Sequence, residues 1–307
     1  MNNLFKNKKE AYPLNKKSKV TKRIIRGGLN LALWSGIFIS GMLSQEEITS
    51  RRFPPNYYPA RIEKRIAEEP KSEENCRKKY AVLLRTDSEQ RHKADISSIY
   101  KTLIENKFNP TDIYILTNTL NENFYHPTDD VVTRESLALV MSHLSKKVTS
   151  KDLFVFASVG HGYLEKKIST LDFSKREESG FPVNRSGVSK LELKTMLSGI
   201  NSKETIAALC MCYSGGFSDV MPRKGAYVIT GSEKDKQSYS SENNSLVGCL
   251  FHGFSPRMKS QTDTNYDERI SLAEAFEYAT KKDFSTNGNL QKPKITPAEG
   301  SENIFLD

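Results

Sequence analysis

The chain has 307 residues, 37% hydrophobic and 27% charged, a balance that suits a globular protein and excludes wholesale disorder or a multi-span membrane protein. Its formal charge is +9, but residues 1–26 carry nine Lys/Arg against the single acid Glu10, so the remainder is nearly neutral at +1. With no basic stripe interleaved with aromatics, nucleic acid is not an expected partner, and four cysteines (Cys76, Cys210, Cys212, Cys249) in this length make no disulfide framework.

In chain order, the basic tail 1–26 leads into residues 27–43 (GGLNLALWSGIFISGML), an uncharged apolar run. Basic followed by apolar is the pattern of an export signal, and about 17 residues is the lower limit for crossing a bilayer. The expectation is a signal peptide or an uncleaved signal anchor, hence an exported or membrane-anchored protein. A buried or amphipathic helix in a cytoplasmic protein is the competing reading, and a basic membrane-surface segment is a third. Residues 44–78, with Pro54, Pro55, Pro59 and Pro70 and a charge-dense stretch from Glu63, read as a solvated linker.

From residue 79 to 307 short apolar runs alternate with amphipathic ones. Residues 80–84 (YAVLL), 112–116 (DIYIL), 153–158 (LFVFAS), 205–210 (TIAALC) and 226–230 (AYVIT) read as strands. Residues 94–104, 133–148, 190–197 and 272–279 carry apolar side chains at helical spacing, and Thr133 is suited to capping. Strand alternating with helix predicts an α/β fold, a three-layer α/β/α sandwich about a mainly parallel sheet, with no internal repeat. Ligands of such sheets bind beyond the carboxyl ends of the strands, so the chemistry is sought there.

Two of those ends carry reactive side chains. His161 follows the third strand in Val159-Gly160-His161-Gly162, and Cys212 follows the fourth in Cys212-Tyr213-Ser214-Gly215-Gly216. A thiolate attacks acyl carbon, and a neighbouring imidazole both lowers the thiol pKa and protonates the leaving amine. The backbone N–H groups of Gly162 and Cys212 are candidates for holding the oxyanion. A buried thiol and a loop histidine are the alternative. Metal binding by Cys210, Cys212 and His161 is disfavoured, because Cys-x-Cys lacks the second ligand pair of usual zinc sites; neither metal nor cofactor is expected.

Several motifs then line up in order with one family. Arg91-His92-Lys93-Ala94-Asp95, the helix 132–144, the histidine strand with Gly160-His161-Gly162, Cys212-x-Ser214-Gly215 and Ser238-Tyr239 resemble the legumain and GPI-anchor transamidase family of caspase-fold cysteine peptidases. Cys212 follows His161 by 51 positions, which agrees with caspase-type spacing. Residues 272–293 are more similar to bacterial caspase-like peptidases than to animal legumain. The resemblance implies a caspase-like fold, His161 as general base and acid, Cys212 as nucleophile, and Arg91 with Ser238 lining the pocket for the residue before the cut.

Two positions depart from the family. Glu89 stands where legumains have asparagine, and its carboxylate suits the orientation of His161. Cys210 replaces an acid that helps hold the substrate asparagine, which predicts a shift toward Asp or a broader preference. The expected activity is endopeptidase cleavage of a protein or peptide after Asn or Asp. A transamidase would use the same residues with an amine in place of water, and a catalytically dead, tethered binding module is the rival from another class. Oligomeric state is not legible.

Overall fold

Seven runs of β-branched and apolar residues pair into one sheet, and most are buried on both faces, as a parallel sheet covered by helices requires. They are β1 (Lys79–Arg85), β2 (Ile113–Thr117), the short β3 (Asp130–Val131), β4 (Leu153–Val159), β8 (Glu204–Leu209), β9 (Ala226–Thr230) and β10 (Lys294–Thr296). The structure is a computed structural model, and it describes residues 59–69, 77–120, 127–174, 185–240 and 245–307. The order across the sheet is β10-β9-β8-β4-β1-β2-β3, all parallel except β10, which runs antiparallel to β9. Between β4 and β8 the chain makes a second, antiparallel sheet of β5 (Gly162–Glu165), β6 (Ile168–Asp172) and β7 (Gly187–Ser189).

The period-two geometry of a strand divides the core. Tyr80, Val82 and Leu84 of β1 point to one face, and Ala81 and Leu83 to the other. The first face is covered by α1 (Ala60–Glu68), α3 (Arg134–Lys147) and α4 (Lys190–Ser198) through Ile62, Leu137, Val140, Leu144, Leu193 and Leu197. The second is covered by α2 (Gln90–Glu105), α5 (Leu246–Gly253) and α6 (Leu272–Lys282) through Ile96, Ile99, Leu103, Leu250, Phe251 and Ala275. The expected three-layer α/β/α sandwich with a mainly parallel sheet is therefore the observed fold, consistent with a caspase-like one.

Local chemistry fixes the helix starts. Thr133, Ser189 and Ser271 each cap a helix and exchange bonds with the third residue on, Ser136, Glu192 and Glu274, so two otherwise orphaned amides are satisfied at each start. All nine strands and helices expected from residue 79 onward are present, within a few residues of the expected ends.

One expectation is corrected. Part of the 44–78 stretch, read as a solvated linker, is the helix α1, with Ile62 fully buried on the sheet's first face. Few apolar residues are needed because charge does the docking. Arg65 pairs with Asp129 and lies over the Tyr114 ring, while Glu69 takes bonds from Lys147 (2.7 Å), His143 (3.1 Å) and the Tyr114 hydroxyl. The apolar run 27–43 lies outside the described residues. Among those described, no helix is long and apolar enough to cross a membrane.

Candidate active site

The carboxyl ends of β1, β4, β8 and β9 lie side by side, because β4 pairs with both β1 and β8, and β8 with β9. Each delivers one part of the candidate site from the segment that follows it. From β1 come Thr86, Asp87, Glu89 and Arg91; from β4, Gly160, His161 and Gly162; from β8, Cys210 and Cys212; from β9, Gly231, Ser232, Ser238 and Ser240.

His161 is held from two sides. Its backbone N–H reaches Thr86 Oγ1 at 3.4 Å, and its Nε2 lies 2.6 Å from Glu89 Oε1 and 3.5 Å from Asp87 Oδ2. Asp87, 4% exposed, also takes His92 Nδ1 at 2.7 Å, and the His92 and His161 rings meet edge to face at 5.8 Å. Burial opposes ionisation of Asp87, but the bond and charge of His92 outweigh it and hold its carboxyl below the ordinary range. For Glu89, burial and the Asp87 charge oppose ionisation, and His161 and Arg91 together hold it low. With Nε2–H directed at a carboxylate, the imidazole has Nδ1 as its proton acceptor. Asp87, Glu89 and His161 offer atoms within 4.8 Å of one another, a different set from the Cys210, Cys212 and His161 weighed from the sequence. Their short bonds to one another, to His92 and to Arg91 already use those atoms.

Cys212 sits on a tightly constrained turn. Ser238 N–H donates to its Sγ at 3.4 Å, and the Ser238 carbonyl lies 3.7 Å from the same sulfur. No hydrogen bond joins Sγ to His161 among the described residues; the two strand ends instead meet through backbone, since a side chain at Gly162 would collide with the Cys212 carbonyl and with Met211. Tyr213 adopts a left-handed φ of 62°, and the buried Ser214 hydroxyl receives the N–H groups of Gly231 and Ser232, each at 3.0 Å. These bonds tie the Cys212 turn to the end of β9. The second sheet supports it from the other side, where Ser169 Oγ donates to the Tyr213 carbonyl at 2.8 Å.

The residues expected from the sequence to line a substrate pocket are Arg91, Ser238 and Cys210. Arg91 Nε bonds Glu89 Oε2 at 2.7 Å, and Nη1 bonds Ser240 Oγ at 2.8 Å. Cys210 falls just past the end of β8; a methyl group placed on Gly231 would stand 3.4 Å from Cys210 Cβ and 3.7 Å from Ser238 Oγ, so all three border one volume. Burial, and then the charges of Asp283 and Asp95, push the Cys210 thiol well up, so it is present as an uncharged SH.

The sequence reading missed a supporting layer. Ser238 Oγ and the Tyr239 N–H both donate to Gln291 Oε1 at 3.1 Å, and Gln291 Nε2 donates to the fully buried Asp283 Oδ2 at 2.8 Å. Asp87 could have been found, since it too follows a strand; Gln291 lies 53 positions from Ser238 and gave no signal. The cavity of about 560 Å³ lined by Val132, Arg134, Phe173 and Arg185 touches neither His161 nor Cys212.

The fold is thus an α/β sandwich in which His161 and Cys212 follow adjacent parallel strands. Residues 170–291 match the model of the Peptidase C13 family, which bears out the legumain and GPI-anchor transamidase resemblance; a peptidase family implies protein or peptide substrates. The matched stretch holds Cys210, Cys212 and Ser238; Glu89, Arg91 and His161 precede it. No curated protein gives a significant match to the chain.

Proposed function

We propose that the chain is a cysteine endopeptidase that cleaves after Asn or Asp, with Cys212 and His161 as its dyad. The observation that carries this is the delivery of a cysteine turn and a histidine turn to adjacent parallel strand ends, with Gly162 pressed against the Cys212 backbone. Cys212 Sγ attacks the substrate carbonyl carbon while His161 Nδ1 takes the thiol proton. The tetrahedral oxyanion is stabilised by the N–H groups of Gly162 and Cys212. His161 then gives its proton to the leaving amine as the C–N bond breaks, and water, deprotonated by the same imidazole, releases the acid and regenerates the thiol.

Arg91 supports the choice of Asn or Asp. Its Nε and Nη1 are engaged, and among the described residues nothing bonds Nη2, which leaves a planar donor for an amide oxygen or a carboxylate. An uncharged Cys210 removes the repulsion that an acid there would exert on Asp. Residues 27–43 complete the proposal as the segment that exports or anchors the enzyme; deleting 1–43 should release it and leave cleavage intact.

A mixed peptide library tests the activity with the full chain beside Cys212→Ala. Cleavage after Asn or Asp that vanishes in the variant supports the proposal. Cleavage confined to basic or bulky apolar residues would refute the pocket, and none by either protein would favour an inactive binding module.

A further inference from the structure

Glu89 occupies the cap position of α2 but does not cap it. Its side chain makes no bond to the first-turn amides, and glutamate is not a preferred cap residue. Both oxygens are committed elsewhere: Oε1 to His161 Nε2 at 2.6 Å and Oε2 to Arg91 Nε at 2.7 Å. One carboxylate thus joins the imidazole that moves the proton to the guanidinium that reads the substrate. The two donors meet different oxygens of the carboxylate, so a glutamine in the same pose would turn an NH2 toward one of them, losing that bond and the negative charge.

The surroundings leave few other paths between His161 and Arg91. Asp87 lies 3.5 Å from His161 Nε2 but is already bonded to His92 Nδ1. Arg91 Nη1 is fixed on Ser240, from the loop after β9. Asp95, one turn along α2, acts on Arg91, His92 and Asp87 only through space.

We propose that Glu89 couples occupancy of the pocket for the residue before the cut to the state of His161. This rests on the peptidase reading. When a substrate carboxylate or amide oxygen draws on the Arg91 guanidinium, Arg91 holds Glu89 less tightly, and the carboxylate's charge bears more fully on His161. That favours the imidazolium formed as Cys212 gives up its proton. The substrate side chain then raises kcat and does not merely lower KM. Glu89 is a positioning residue in this scheme, touching His161 and Arg91 and not the substrate.

The test is a double-mutant cycle of Glu89→Gln and Arg91→Ala in the full chain, with kcat and KM measured on peptides carrying Asn, Asp or Ala before the cut. Arg91→Ala is expected to lower kcat for the Asn and Asp peptides about tenfold when Glu89 is intact, but less than about twofold in the Glu89→Gln background, with KM raised alike in both. Equal kcat losses in the two backgrounds would overturn the coupling. A second readout needs no turnover: the pH profile of Cys212 alkylation by iodoacetamide in the same four proteins should shift on Arg91→Ala only where Glu89 is a carboxylate. A wild type that cleaves nothing yet shows this shift would end the peptidase reading and keep the coupling. Cleavage that depends on Cys212, with no coupling in either readout, would do the reverse; if both are absent, both fall.

Discussion

Three cysteines within the described fold sit in different electrostatic settings. Cys249 is buried, and burial together with Asp283 and Asp95 pushes its thiol up to about 12; Cys210 is pushed up for the same reasons. Since the thiolate is the nucleophile, neither should react at neutral pH; Cys212 lies on a turn and, like Cys210, is partly exposed. Iodoacetamide at pH 7 followed by peptide mapping should label Cys212 well before Cys249, and equal rates would contradict this picture. Gln291 allows a second prediction at this scale. Gln291→Ala removes the acceptor shared by Ser238 and Tyr239 and strips one partner from the buried Asp283. The expected cost is about 1–3 kcal/mol in unfolding free energy, with kcat/KM for Asn and Asp peptides falling about tenfold as the pocket wall loosens. Unchanged kinetics would show that Gln291 supports only the fold. The sequence could not announce this residue: an uncharged glutamine after the last long helix matches no spacing rule, and its role exists only because the chain returns to the β9 end.

At the scale of elements, α1 is joined to the body by an ion network over a small apolar contact. Burial alone would raise the Glu69 pKa, but bonds from His143, Lys147 and Tyr114 outweigh it and hold the carboxyl down at about 2. A carboxylate depressed in the folded state contributes stability above its unfolded pKa and loses it as pH falls toward the folded value. Urea midpoints should therefore decline between about pH 4.5 and 2, and Glu69→Gln should flatten that decline. The apolar part of the contact is tested by Ile62→Ala, expected to cost about 2–4 kcal/mol as a fully buried truncation. A cost near zero would make α1 the loosely attached linker its sequence suggests. It reads as linker because Pro59 and Pro70 flank it and charges dominate it, and nothing local reveals that Asp129, His143 and Lys147 await it far along the chain.

Across the whole molecule, the two sheets meet at the turn bearing Cys212. A methyl group on Gly216 would strike Ser169 of β6, at 2.9 Å from its Cβ, and Ser169 also bonds the Tyr213 carbonyl. Gly216→Ala should thus force apart the second sheet and the turn bearing Cys212. The expected result is a loss of about 1–3 kcal/mol in stability and a fall in kcat of about a hundredfold from displaced reacting atoms. A variant with native unfolding behaviour and native kcat would mean that the second sheet does not position the turn.

The sequence by itself determined the layers. Apolar period and capping residues are local signals, so the parallel strands, the main helices and the placement of His161 and Cys212 after strands were all legible. The second sheet was not, because β5 is partly exposed and the buried β6 and β7 are short and rich in small or polar residues, without an apolar run to mark them. The partners of the reactive groups were also decided only in three dimensions. Glu89 was expected near His161, but its second bond, to Arg91, depends on how helix α2 leaves β1 and on which face of that helix Arg91 occupies. Hydrogen-bond partners are chosen by proximity in space, and proximity is set by strand order, which no local pattern encodes.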